Sequence, residues 1–239
     1  MILNKKSCRY EKINKPVKKL PHKLTEMKPI DIAEDEMNKH HKHHHKSSHF
    51  NYVMPHYNVN IQFVVFNKSS DKPYPGKGQQ EEIPDDKIEL FKPLSLIHEW
   101  RKKLDDQWIA PFELDGYHWQ TVEHYFQANK FKKFTDIYYL FTLESNSAIC
   151  KDPLLANHAG SDDGKINRRK FRPNHITIDK KFDTISRSVL MNAQYAKFSQ
   201  NKELKKILQL TRDAMIFEFK FNMKQQMNTL MRVRDVLFN

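Results

Sequence analysis

The rhythm of apolar positions along this chain changes near residue 59. Residues 1 to 58 show neither helical nor strand periodicity and contain the low-complexity run NKHHKHHHKSSH. From Val59 through Phe66 the β-branched and aromatic residues of VNIQFVVF predict a buried strand. DKPYPGKGQQEEIPDDK follows, a loop punctuated by Pro73, Pro75, Gly76 and Gly78. FKPLSLIHEWRKKL predicts a short amphipathic helix with Leu96, Ile97, Trp100 and Leu104 on one side. Asp115-Gly116 then predicts a turn between two short extended pieces.

WQTVEHYFQANKF, residues 119 to 131, reads as a helix capped by Thr121. Glu123, Gln127 and Lys130 fall at i, i+4 and i+7, so an acid, an amide and an amine share one face. Each has a plainer reading. A carboxylate in the first turn suits the helix dipole whatever the protein does, and Lys130 reads equally well as a solvated lysine at the helix end. Nine of the 28 aromatic residues lie between Tyr117 and Phe141; most belong to a core, and a few are free to line a cleft.

The remainder predicts helices and loops. A helical piece around residues 143 to 159 is interrupted by Pro153 and ends in a loop bearing Gly160 and Gly164. NRRKFRPNH is basic and irregular, and its Arg168, Arg169 and Arg172, with Lys165, suit phosphate as well as open solvent. Asp183 predicts the cap of a helix with the stripe Ile185, Val189, Ala193 and Ala196. A further helix starts after a cap at Asn201 with Leu204, Ile207 and Leu208 inward, and MNTLMRVRDVLF predicts a last one.

Composition narrows the classes of function. The chain has 239 residues, a formal net charge of +12 and eleven prolines against five glycines. Residues 1 to 60 hold twelve Lys/Arg and six Asp/Glu, so +6 of the excess sits in the first quarter, a balance that favours anionic partners through a basic arm. Eight of the thirteen histidines are in that arm; His40, His41, His43, His44, His45 and His49 have no spacing that fixes a coordination geometry. No run approaches the roughly 18 apolar residues that cross a bilayer, and none suits a signal peptide. Two cysteines, Cys8 and Cys150, fit an intracellular protein without a structural disulfide. Paired zinc cysteines, His-Glu-x-x-His, Gly-x-Ser-x-Gly and a Walker loop are all missing from the sequence.

DGYHWQTVEHYFQANKF, then MNAQYAKFSQNKELKKILQLT, then LMRVR resemble in order and spacing the NADAR superfamily, also called the YbiA-like family. The resemblance covers about residues 60 to 235, and DKPYPGKGQQE with WRKKL looks nearest to a subgroup of eukaryotes and large DNA viruses. It implies an α+β, predominantly helical single domain over 59–239 and leaves out residues 1–58, which their low-complexity composition predicts to be a disordered basic, His-rich arm.

The resemblance also implies an N-glycosidase that hydrolyses a ribosyl C–N bond. The substrate it points to first is ADP-ribose on guanine in nucleic acid. A ribosylaminopyrimidine intermediate of riboflavin synthesis is the alternative, and an inactive ADP-ribose or nucleotide-binding module is another. Glu123 and Lys130 match the family's active-site glutamate and lysine. The expected substrate-binding set is Trp119, Gln127 (on a ribose hydroxyl), Phe182, Lys77, Gly78, Glu81, Lys165 and Arg172, with Lys77, Lys165, Arg168 or Arg172 on a pyrophosphate. His124 is expected to be structural. No cofactor or metal is implied, no membrane is expected as a partner, and the arm is expected to touch nucleic acid nonspecifically. Two departures stand out: Phe182 replaces a tryptophan, keeping a stacking face without the indole N–H, and FKFNMKQQMN replaces a Trp-Gly-x-Gly segment.

Overall fold

In chain order the elements are β1 (Asn58–Val65), α1 (Ile88–Phe91), α2 (Trp100–Lys103), β2 (Phe112–Leu114), β3 (Tyr117–Trp119), α3 (Val122–Asn129), α4 (Thr135–Tyr139), α5 (Ala148–Lys151) and α6 (Pro153–Ala159). They continue as β4 (Lys165–Ile166), β5 (Arg169–Lys170), α7 (Phe182–Gln200), α8 (Lys202–Leu210), β6 (Ala214–Lys220), β7 (Met223–Gln226) and α9 (Asn228–Phe238). This computed structural model describes residues 57–65, 71–166, 168–220 and 223–238, an α+β arrangement dominated by helix. The histidine tract and the arm up to residue 56 lie outside the described residues, as does Phe66 at the end of the predicted strand.

Two apolar clusters organise these elements. In the first, β1 pairs in parallel with β6, and β6 pairs antiparallel with β7, giving the order β1-β6-β7. Ile61, Phe63 and Val65 of β1 pack there with Trp100, Leu204, Ile207, Leu208, Ile216 and Leu230. In the second, the hairpin β2-β3 packs Phe112 and Trp119 against Tyr125, Ala128 and Phe131 of the α3 segment and against Phe141 and Ala156. The hairpin turn is Asp115-Gly116 with φ of 53° and 76°, the paired left-handed residues that a two-residue type I′ connection requires. Helix α7 belongs to both clusters: Met191 and Phe198 face the first, while Phe182, Val189, Ala193 and Ala196 face the second.

Several predicted elements are displaced. FKPLSLIHEWRKKL is not one helix: a 3-10 turn over Lys92–Leu96 carries Pro93 at its second position, with no N–H to continue α1, and Glu99 sits at φ 52° before α2. The tighter winding rotates the apolar face by a residue or two. Leu94 is fully buried, and Leu96, expected inside, is 85% exposed. Ile185 likewise stays exposed at the open end of α7, and Asp183 lies in the first turn rather than at the cap position, held by Lys181. Asn201 does precede α8, but its side chain donates to Lys197 O and Pro111 O instead of capping. The strands β6 and β7 stand where the sequence reading had helices and loops. Pro153 opens α6 at its first turn, where its missing N–H costs nothing, and Asp152 caps the helix by accepting from Leu154 N and Leu155 N.

Candidate active site

Helix α3 is fixed at its start. Thr121 Oγ1 accepts from His124 N, Glu123 N donates to Asp106 O at 3.2 Å, and His124 is buried with Nδ1 on Thr121 Oγ1 at 2.7 Å and Nε2 on Ile149 O at 3.0 Å. Val122, His124, Tyr125, Gln127, Ala128 and Asn129 are buried, which leaves Glu123, Phe126 and Lys130 as the half-open positions from Val122 to Lys130. At i, i+3 and i+7 these form one stripe.

Each polar member of the stripe is held by helix α6 or the capping residue that follows it. Gln127 Nε2 and Asn157 Nδ2 both donate to Glu123 Oε1 at 2.7 Å. Lys130 Nζ donates to Gly160 O at 3.0 Å and lies 5.7 Å from the Phe126 ring centroid and 5.9 Å from that of Phe182. Burial lowers the Lys130 pKa from its ordinary value, against the opposing pull of Glu123, Asp162 and Asp183. Gly160 caps α6 with an ordinary φ of −85°, so its lack of a side chain answers to space rather than to backbone strain. A Cβ there would stand 1.9 Å from Gln127 Oε1. Gln127 is thereby pinned and buried; its amide is committed to Glu123 rather than turned outward to a ribose hydroxyl.

The remaining expected residues divide clearly. Phe182 is buried beneath the stripe, meeting Phe126 edge to face at 5.1 Å, so it packs the stripe rather than offering an open stacking face. Arg172 is buried, stacked 4.8 Å from Phe131, with its guanidinium donating to Ile176 O, Ala159 O, Ser161 O and Asp162 O. It therefore ties the loop that follows α6, and most of its donors are unavailable to a phosphate. Lys165 is exposed on β4 near that loop, with its backbone N–H on Asp163 Oδ1, and Arg168 is exposed at φ 66°.

Trp119 does not line the site. It is fully buried among Tyr125 and Tyr138, and its Nε1 donates to Leu114 O at 2.9 Å. Lys77, Gly78 and Glu81 are drawn elsewhere too. The Glu81 carboxylate is wholly buried against Arg101, at 2.7 Å from Nε and 2.6 Å from Nη2, and accepts from Gly76 N, Gly78 N and Val64 N. Gly78 is needed because a Cβ would stand 2.6 Å from the Glu81 carboxyl carbon, while Lys77 is exposed at the loop surface. This clamp serves the loop and the first cluster; none of its described contacts reaches Glu123 or Lys130.

The sequence reading gave no role to Asn157, whose bond to Glu123 crosses 34 positions. It also missed a buried polar joint at the start of α3. Gln194 Nε2 donates to both Asp106 carboxylate oxygens, at 2.9 and 3.2 Å, and the buried Lys197 Nζ donates to Asp105 O. Burial pulls Asp106 and Lys197 each toward its neutral form, and their mutual attraction opposes this.

Burial also lowers the His124 imidazole to about 4, against smaller opposing effects of the Ile149 carbonyl and Asp152. The folded chain excludes a proton that the unfolded chain accepts near pH 6.5. This contribution is therefore complete above pH 6.5 and lost as pH falls toward 4. At about 1.4 kcal/mol per tenfold change in proton affinity, up to roughly 3 kcal/mol is at stake. Denaturant unfolding from pH 7 to 4 is expected to show this loss in the wild type and not in His124→Asn. Taking the difference between the two proteins removes Asp106, whose raised pKa acts with opposite sign.

The NADAR domain family model matches residues 86–222. The curated N-glycosidase YbiA of Escherichia coli K12 is 32% identical over 108 residues, 45% of this chain and 56% of that protein. N-glycosidase YbiA of Shigella boydii serotype 4 is 31% identical over the same shares. The chain thus spans little more than half the length of these relatives. Among solved structures, the NMR structure of the Escherichia coli protein YbiA aligns with a TM-score of 0.47 and 21% identity, over 77% of this chain and 89% of that one.

Proposed function

Since this chain belongs to the NADAR domain family, we propose that it is an N-glycosidase that removes ADP-ribose from guanine bases. The observation that carries the reading is the half-open stripe of Glu123, Phe126 and Lys130, a carboxylate and a partly desolvated amine flanking aromatic surface. Cleavage breaks the bond between C1 of the ribose and the base nitrogen, and the electron pair leaves with the base. Positive charge builds on C1 and the ring oxygen, where a carboxylate is most favourable, and water then adds to C1 and yields its proton to Glu123. Lys130 has two chemically complete roles. As an ammonium with a lowered pKa it protonates the departing base; as a free amine it adds to C1 of the ring-opened sugar, which is still joined to the base nitrogen as an iminium. In that second role the C1–base bond breaks with the electron pair and the amine proton going to the base, leaving a Schiff base that water hydrolyses back to the free amine and the sugar. Borohydride added during turnover separates them, because only the second leaves a covalent adduct on Lys130.

The net charge of +12 supports an anionic substrate on a nucleic-acid carrier, with the basic arm as a nonspecific contact. Exposed Lys165 and Arg168, next to the loop bound by Arg172, are the cations we assign to the diphosphate. The decisive experiment offers the protein guanine-linked ADP-ribosyl DNA and, separately, a ribosylaminopyrimidine phosphate, and follows the released sugar and base. Release of ADP-ribose from the DNA with little action on the small substrate is expected. The reverse preference would replace the substrate assignment, and no release from either would leave a binding module.

A further inference from the structure

Two amides converge on the same oxygen of Glu123. Gln127 Nε2 and Asn157 Nδ2 each lie 2.7 Å from Oε1, and among the described residues no hydrogen bond reaches Oε2. A carboxylate oxygen offers two in-plane lone pairs, so both of those on Oε1 are occupied by N–H donors. Neither a proton nor a nucleophilic water can use them. Only Oε2 is left for chemistry.

The two donors are not equivalent. Gln127 lies four residues along the same helix, so its bond fixes the side chain of Glu123 only relative to α3. Asn157 reaches across from α6, the turn of which also supplies the carbonyl that holds Lys130 and the glycine that pins Gln127. A carboxylate held from one side can rotate about its last bond; held by donors from two helices it cannot. We infer that Asn157 is a positioning residue that fixes the carboxylate plane of Glu123, presenting Oε2 to the anomeric carbon while Lys130 is held by the same turn. The inference rests on the proposed glycosidase reading for its reaction and on the observed hydrogen bonds for its geometry.

Asn157 is only half-buried, so Asn157→Ala should fold. Its turnover of the cleaved substrate is expected to fall roughly 10- to 100-fold in kcat, the scale of a misaligned reacting group, with KM little changed. Asn157→Asp, of equal shape but with an acceptor facing Oε1, should fall further. The distinguishing measurement is a double-mutant cycle: in a Glu123→Gln background Asn157→Ala should cost almost nothing, because the residue acts through that carboxylate. An equal loss in both backgrounds, or no loss in the wild-type background, overturns the inference. If the wild type releases no base from either substrate, the proposed function fails instead. Crystal structures of wild type and Asn157→Ala then decide the positioning role alone: a turned Glu123 carboxylate in the variant supports it, and an unmoved one overturns it.

Discussion

Glu123→Gln is expected to fold like the wild type and to release base about 1000-fold more slowly, within the range for loss of a positioned acid-base group. The substitution suits the site. An amide oxygen at the Oε1 position still accepts from Asn157 Nδ2 and Gln127 Nε2, so the side chain keeps its two bonds. What changes is the outward atom, where a neutral NH2 can neither neutralise charge on the sugar nor take a proton from water. Lys130→Met should lose a comparable amount while keeping its apolar stem between Phe126 and Phe182, leaving only Gly160 O without its donor. Steady-state rates with melting temperatures as a folding control check both. Wild-type rates in either variant would remove Glu123 and Lys130 from the chemistry.

The largest loss of stability should come from Arg101, outside the stripe. Arg101→Met is expected to cost about 3–5 kcal/mol in denaturant unfolding, the usual penalty for orphaning one half of a buried ion pair. Both side chains of the Arg101–Glu81 pair have no solvent exposure. The guanidinium also donates to Lys72 O and Tyr74 O, so the substitution leaves a carboxylate and two carbonyls without their donor. Removing both charges should not recover the loss, since Gly76 N, Gly78 N and Val64 N would then lose their acceptor. This differs from an ordinary buried pair, which apolar residues can often replace. A stable double variant would show that the loop does not need the clamp.

What was legible in the sequence was local. Thr121 caps α3, Asp115-Gly116 makes its hairpin, and the i to i+7 spacing puts Glu123 and Lys130 on one stripe, because each depends on residues within two helical turns. The family motifs then picked out that stripe. Hidden were the contacts made by chain closure. Trp119 is as aromatic as a stacking residue, and only the packing of Tyr125 and Tyr138 around it makes it core. Glu81 was expected at the substrate only through the family resemblance, and Arg101, twenty positions on, takes its charge instead. Asn157 carried no periodic or charge signal at all. The strand β6 did have alternating apolar and aromatic residues, but its partner β1 lies at the other end of the described chain, beyond the reach of local pattern.

The dual membership of α7 has a consequence for how the molecule comes apart. One continuous helix supplies side chains to both apolar clusters, so neither can melt without exposing half of a helix that the other needs. The two halves are thereby bound into a single cooperative unit, and the amide protons in the buried middle of α7, from Val189 to Phe198, should exchange only through global opening.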